Sequence, residues 1–177
     1  MKLYYTVISK PEDPQTRPDL SLGGFKSSTI VPNNKLSNLF GDISSYSVRE
    51  NQYEYIALAL VNDSAIDITD ITVYFEYPTD RQKDLEMAFV NFNASEEMEF
   101  IPNPYSQPYV AAFNAADGVV NAINIGGLLA GAKIGIWFKR IINTANVSDA
   151  YSNASLEANG NPVEANEEIT LVMDWTE

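Results

Sequence analysis

Regularly spaced segments of alternating side chains constrain the fold of this chain more than any other feature. In DITDITVYFEY (67–77), Ile71, Val73 and Phe75 lie on one face of an extended chain, and polar residues such as Thr72 lie on the other. A helix would instead need apolar residues at every third or fourth position. The alternation therefore predicts a β-strand with one buried face.

Other segments of the body have a similar strand character. YEYIALALVN (53–62) is apolar on both faces, as expected for the centre of a sheet. LEMAFVNF (85–92), KIGIWFKRI (133–141) and EEITLVMDW (167–175) alternate, and VVNAINI (119–125) has strand composition. About seven or eight strands with little helix predict an all-β fold, namely an antiparallel β-sandwich of Ig-like or jelly-roll-like type.

The first quarter of the chain does not share this pattern and predicts an extended N-terminal arm. Residues 1–44 contain a short alternating strand and then the proline-rich run KPEDPQTRPD (10–19), which disfavours helix. Gly23-Gly24 predicts a sharp turn or a close approach of two backbones. One helical turn is expected over 35–40. We therefore predict an arm over 1–44 and a sandwich domain over 45–177.

The composition excludes several classes of catalytic site. The sequence contains no cysteine and no histidine. Thiol nucleophiles, Ser-His-Asp triads and histidine-zinc sites therefore cannot occur within it. An enzyme built from this chain would need paired carboxylates, a lysine or a bound Mg²⁺ or Ca²⁺. We predict a protein that is not an enzyme and that carries no catalytic residues, cofactor or metal.

The charge of the chain bears on its partners. Twenty-four acidic and 11 basic residues give a formal net charge of −13, which repels nucleic-acid phosphates and anionic membranes. The N-terminal stretch lacks the apolar core of a signal peptide, and no apolar run reaches about 18 residues. We expect no sequence-specific nucleic-acid binding and no membrane partner.

One stretch, GGLLAGAKIGIWFKRII (126–142), has glycines spaced as in a phosphate-binding loop. That motif needs a lysine directly after its second glycine, followed by a hydroxyl residue for Mg²⁺. Here Ala132 separates Gly131 from Lys133, and Ile134 occupies the hydroxyl position. The following residues also alternate as a strand. The stretch therefore predicts a turn followed by a strand, with Ile134, Ile136 and Phe138 in the core and Trp137 against another sheet, the arm or a neighbouring subunit.

Two acidic clusters are the remaining candidates for a metal site. Asp63, Asp67 and Asp70 surround one turn, and Glu96, Glu97 and Glu99 surround another. Loop carboxylates can bind Ca²⁺, but neither cluster has the spacing of a known calcium loop. We predict solvated acidic surface at both. The Asn-x-Ser sequons at Asn62, Asn93, Asn146 and Asn153 are interpreted as chance matches in a chain rich in Asn and Ser.

Two stretches resemble virion structural proteins of tailed bacteriophages. The stretches are SLGGFKSSTIVPNNKLSNLFGDISSYSVRENQYEYIALALVNDSAIDITDITVYFE and the later GGLLAGAKIGIWFKRI. The family's order is an L-G-G segment, an L-F-D-like segment, a Y-x-x-I/V strand ending in a short N-x-(S/T) turn, an alternating strand and a G-x-x-I-G-V-W-I-R-R strand. The positions that match are Leu22, Gly23, Gly24, Leu39, Phe40, Tyr55, Asn62, Gly131, Ile134, Gly135, Trp137 and Arg140.

The resemblance implies a structural component of a tail, neck or ring, of the crAss-like type, assembled in the host cytoplasm into the virion. It implies a homo-oligomer that also contacts other virion proteins. The interface residues expected on this basis are Leu22, Gly23, Gly24, Leu39, Phe40 and Trp137. Three alternatives stay open: a head decoration protein, a β-sandwich module that binds carbohydrate or a host surface through exposed aromatics, and a metal-assisted or carboxylate hydrolase.

Overall fold

The structure, a computed structural model, describes residues 1–32, 39–40, 53–76, 84–109, 112–142 and 170–176. Nine strands account for nearly all of its regular structure; they are β1 (Lys2–Val7), β2 (Gly23–Ile30), β3 (Tyr53–Val61), β4 (Ile68–Glu76), β5 (Leu85–Val90), β6 (Met98–Phe100), β7 (Ile123–Leu128), β8 (Lys133–Ile141) and β9 (Thr170–Thr176). Two 3-10 turns lie at Pro18–Leu20 and Val119–Asn121. Most of the helical turn predicted at 35–40 falls outside the described residues.

The strands form two antiparallel sheets. The larger has six strands in the order β5-β8-β3-β1-β2-β6, and the architecture includes a curled half-barrel sheet. The smaller has three strands in the order β7-β4-β9. The predicted all-β class is therefore confirmed, whereas the Ig-like or jelly-roll-like type stays a prediction.

The main hydrophobic core lies between the two sheets. Strand β4 contributes Ile71, Val73 and Phe75, all fully buried as its alternation predicts. From the larger sheet Ile136 and Phe138 of β8 point into the same core, and the rings of Phe75 and Phe138 lie 5.9 Å apart. The predicted inward face of β8 is thus confirmed; alternation places it there because successive side chains of a strand point to opposite faces.

The outer face of the larger sheet carries a second, smaller core around Trp137. This indole is fully buried, and its direct cross-strand neighbours are Ala57 on β3 and Ala88 on β5. Two small neighbours leave room for a large ring on the same face of the sheet. Leu22 and Met98 belong to the same cluster, so β3 and β8 are buried on both faces. The two-sided apolar character of β3 indicated this central position.

Within the predicted arm over 1–44, the described residues 1–32 contribute two strands that are paired into the larger sheet. Strands β1 and β2 are internal strands of the larger sheet, between β3 and β6. Beyond the pair Tyr5↔Leu58 the neighbour of β3 changes: the N–H of Ala57 donates to Ser21 O (2.7 Å), and the N–H of Tyr55 donates to Pro104 O (2.7 Å). The proline-rich run separates two paired strands, which local sequence could not show.

A buried polar network fixes this change of partner. The Ser21 hydroxyl accepts the N–H of Thr6 (2.7 Å) and donates to the carbonyl of Ala57 (2.6 Å). The Thr6 hydroxyl accepts the N–H of Gly23 (2.9 Å). Because every buried backbone donor needs a partner, these two hydroxyls replace the ladder bonds lost where the chain passes from one neighbour to the next.

Gly23 and Gly24 allow the backbones of β2 and its neighbours to approach closely. Both have positive φ, +96° and +85°. A Cβ on Gly23 would lie 1.9 Å from the carbonyl oxygen of Glu99, and one on Gly24 would lie 2.6 Å from that of Val7. The close approach predicted from the Gly-Gly pair is therefore present, and it occurs within the sheet.

The segment around the glycine-rich stretch is a turn followed by a strand, as predicted. The N–H of Ala132 donates to Leu129 O (2.9 Å), Gly131 has φ +74°, and β8 begins at Lys133.

The prediction of a strand over 119–125 is wrong at its start. Residues Val119–Asn121 form a 3-10 turn after Gly118, which has φ +75°, so extended structure begins only at Ile123.

Candidate functional site

The first acidic cluster does not converge on a common point. The Asp63 carboxylate pairs with Lys2 Nζ (2.6 Å), and this bond holds the pKa of Asp63 below its ordinary value. Asp67 accepts the N–H of Ala130 (2.8 Å) at the β7–β8 turn. Asp63 and Asp67 therefore have separate partners at different places, and the structure does not bring the carboxylates of this cluster together.

The second cluster is divided in the same way. Glu96 pairs with Lys133, and both oxygens of Glu99 accept the N–H of Tyr109 (2.8 Å each). Across the described part of the chain, no three acidic side chains are grouped closely enough to hold a metal ion. The cations of β8 are likewise engaged: Lys139 with Glu86 (2.8 Å) and Arg140 with Glu54.

Asn62, the first sequon residue, is fully buried and holds one end of the molecule together. Its amide donates to the carbonyls of Ile66 (2.8 Å) and Leu128 (2.9 Å), and its side-chain oxygen accepts the Ser64 hydroxyl (2.6 Å). Its backbone also bonds to Gly131 and Ala132 at the β7–β8 turn. An amide with these partners is a structural element that fixes two loops together.

The predicted interface residues have packing roles within their own chain. Leu22, Gly23, Gly24, Phe40 and Trp137 are buried, and Leu39 is half-buried against the main core. The structure brings two of them, Leu22 and Trp137, into the outer cluster. Contact with another subunit stays a prediction for all six residues. Because they are buried or half-buried within their own chain, a contact surface would have to be formed by more exposed residues.

The surface that stands out by charge and exposure is formed by the described part, 100–109 and 112–132, of residues 100–132, named here the low-charge segment. Asp117 is its sole charged residue, in a chain that is 20% charged. Six of the eleven large apolar side chains that are exposed among the described residues belong to this segment, although it is only a minor part of the chain; they are Phe100, Tyr105, Tyr109, Val119, Val120 and Leu129.

The first half of the low-charge segment crosses the outer face of the larger sheet. It leaves β6 beside Leu22, passes the end of β3, where the Phe113 and Tyr55 rings lie 5.6 Å apart, and reaches the far edge at β5. There Asn114 and Met87 exchange two backbone hydrogen bonds (2.8 and 2.9 Å). This crossing covers the Trp137 cluster and leaves Phe100, Tyr105 and Tyr109 facing outward.

The second half of the low-charge segment contains the edge strand β7. Its start is tied to β4 by two backbone bonds of Phe75, to Ala116 and Gly118 (2.8 Å each). Val119 and Val120 precede β7 and Leu129 follows it, and Val120 is 92% exposed. Apolar side chains at both ends of an edge strand are characteristic of a site of contact with another chain.

The comparisons with known proteins do not identify a relative, since neither a family model, nor a curated protein, nor a solved structure matches the chain. Within the described ranges, no helix is long and apolar enough to cross a membrane. The alternation and motif patterns of the sequence did not indicate that the low-charge segment is an exposed surface. The signal that could have revealed it is the near absence of charge from 100 to 132, between the acidic residues Glu96, Glu97 and Glu99 and the basic residues Lys133, Lys139 and Arg140.

Proposed function

We propose that this chain is a non-enzymatic structural subunit of a tailed-phage particle, in a tail, neck or ring, and that it acts through contacts with other subunits. The observation that carries the proposal is the low-charge segment. An acidic protein that exposes Phe100, Tyr109 and Val120 on nearly uncharged surface has a region that is suited to burial against another protein.

Several polar side chains of the described residues act within the fold. Arg140 and Glu54 pair across β3 and β8, and Ser21, Thr6 and Asn62 are used in buried hydrogen bonds. These side chains hold strands and loops of the same chain in place. The resemblance to virion structural proteins supports the proposed class of function.

The test is to locate the chain in a particle. An antibody against the chain would be used for gold labelling of gradient-purified particles from a lysate in which the gene is expressed. We expect label at one fixed position, such as the neck or tail end. Label scattered over the head would support the decoration-protein alternative, and chain found only in the soluble fraction would contradict a virion role.

A second candidate function, binding of carbohydrate or a host surface, is favoured by one observation. Tyr109, 97% exposed, and the exposed residues Phe100 and Tyr105 lie within a proline-rich stretch free of charge. Exposed aromatic rings stack on the apolar faces of sugars. A glycan array comparing the wild-type chain with Tyr109→Ala would test this, and absence of binding by the wild-type chain would count against it.

A further inference from the structure

We propose that the outer edge of β7 pairs antiparallel with β7 of a second copy of this chain, which joins the two three-stranded sheets across a two-fold axis. The inference deepens the proposed function, on which it rests, by naming the partner and the strand that form one subunit contact. A two-fold contact between identical edges is self-complementary, and such symmetry is the commonest among homo-oligomers.

Among the described strands, β7 is the sheet edge with the least protection. The β5 edge is paired at Met87 by Asn114 and carries Glu86. Strand β6 has three residues, and β9 carries the exposed Asp174. Strand β7 is six residues long, INIGGL, without charge or proline. Irregular register with β4 adds twist to it, but the charges that usually prevent edge pairing are missing.

The distribution of charge favours a second copy as the occupant of this edge. Two copies with a net charge of −13 each repel one another, most strongly where carboxylates would face carboxylates. From Gly118 to Ala132 the chain has no charged side chain. Two β7 strands can therefore pair without a charged side chain on either strand; Asp117, which accepts the Asn121 amide (2.6 Å), and Asp67, which accepts the N–H of Ala130 (2.8 Å), lie beyond the two ends of β7. Val120 and Leu129 at the two ends of β7 would add apolar contact.

Asn124, in the middle of the edge, permits a conservative test. Its side-chain oxygen accepts the N–H of Gly126 (2.7 Å), two residues on. In Asn124→Asp the carboxylate keeps this acceptor, so the strand is retained, but the contact receives one negative charge from each copy. Asn93 is the matched control, because its side-chain oxygen accepts the N–H of Ser95 (2.8 Å) in the same way on a distant exposed turn.

The experiment measures the mass of the full chain by sedimentation equilibrium from about 1 to 100 µM. We expect the wild-type chain and Asn93→Asp to change from one chain to two over this range. Asn124→Asp should raise the dissociation constant at least tenfold. Val120→Asp provides a second variant should Asn124→Asp fold poorly, since the Val120 side chain is 92% exposed; the same loss of dimer is expected.

Crosslinking tests which strand is in the contact. The chain has no cysteine, so a single introduced cysteine can link only two copies. With a short bismaleimide we expect a covalent dimer from Asn124→Cys and none from Asn93→Cys. A wild-type chain that stays monomeric to about 100 µM, equal dimerisation of the two aspartate variants, or equal crosslinking at both positions would overturn the proposal.

These outcomes are separable from those of the proposed function. If the chain is located in particles and Asn124→Asp is incorporated as a dimer like the wild type, the β7 contact is wrong and the virion role stands. If the chain is absent from particles but dimerises through β7, the contact stands and the virion role is wrong.

Discussion

At the scale of single residues, two glycines and two hydroxyl groups decide how the N-terminal strands join the sheet. Gly23 and Gly24 let β2 pass within contact distance of the backbones of β6 and β1. Ser21 and Thr6 supply the hydrogen bonds where β3 changes neighbour. All four residues lie where a strand changes its hydrogen-bonded neighbour. Substituting them is therefore expected to disturb strand pairing in the sheet and not only a loop.

Gly23→Ala is expected to be among the most destabilising single changes in the chain. The added Cβ would lie 1.9 Å from the carbonyl of Glu99, a backbone atom that cannot move without opening β2 from β6. We expect a loss of about 4 kcal/mol or more in the free energy of unfolding, measured by urea denaturation. Gly131→Ala is the control: it has positive φ but open space, so its loss should be about 1–2 kcal/mol. Equal losses would contradict the close approach.

Ser21→Ala tests the buried network. The change leaves the N–H of Thr6 and the carbonyl of Ala57 without the hydroxyl that bonds to both. We expect a loss of about 1–3 kcal/mol in the free energy of unfolding, because the buried N–H of Thr6 loses its partner, whereas the Ala57 carbonyl still accepts the Thr6 hydroxyl (3.2 Å). Ser95→Ala, on an exposed turn, should change it by no more than about 0.5 kcal/mol. A neutral result for Ser21→Ala would mean that the hydroxyl is dispensable.

At the scale of elements, β8 organises the larger sheet because it serves two cores at once. Its alternate residues Ile136 and Phe138 face the main core, while Trp137 fills the outer cluster. At its end Arg140 lies over the Phe40 ring (4.7 Å) and pairs with Glu54 across the strands. The ion pair closes the end of the main core, where the side chains of both partners are about nine-tenths buried.

Glu54→Gln is therefore expected to cost more than the loss of a surface ion pair. Removing the charge leaves Arg140 largely buried with a weaker partner, for which we expect a loss of about 1–3 kcal/mol in the free energy of unfolding. The control is Glu12→Gln, since the Glu12 side chain that pairs with Lys26 is 62% exposed; its loss should be below about 1 kcal/mol. Urea or thermal denaturation of both variants measures the two losses in the free energy of unfolding. Equal losses would contradict the expected difference between the buried and the exposed ion pair.

At the scale of the whole molecule, an uneven distribution of charge separates two kinds of surface. The chain carries a net charge of −13, yet residues 100–132 contain one charged side chain, Asp117. The exposed apolar residues are concentrated in the same segment. Self-repulsion thus acts over most of the surface and is weakest at the low-charge segment, which is why contact with another protein is proposed there.

Salt should stabilise the folded chain. Raising sodium chloride from about 10 mM to about 0.5 M shortens the range of electrostatic repulsion from about 30 Å to less than 5 Å. We expect the free energy of unfolding to rise by about 1 kcal/mol, which corresponds to about 2–4 °C in melting temperature. Calorimetry at a fixed low chain concentration, where no dimer forms, is the measurement. A melting temperature that falls or stays constant would show that local ion pairs outweigh the net charge.

The all-β class, the inward faces of β4 and β8 and the turn before Lys133 follow from the sequence, because alternation, β-propensity and glycine positions are local properties. The sheet membership of β1 and β2 does not, since it depends on contacts between distant residues such as Ser21 and Ala57. The same holds for Glu54 and Arg140, 86 positions apart. Local sequence specifies which segments are extended and which face is apolar. Which strands become neighbours, and that β7 lies at a sheet edge among the described strands, depends on how these strands share two sheets, because pairing and burial are decided jointly by the whole chain.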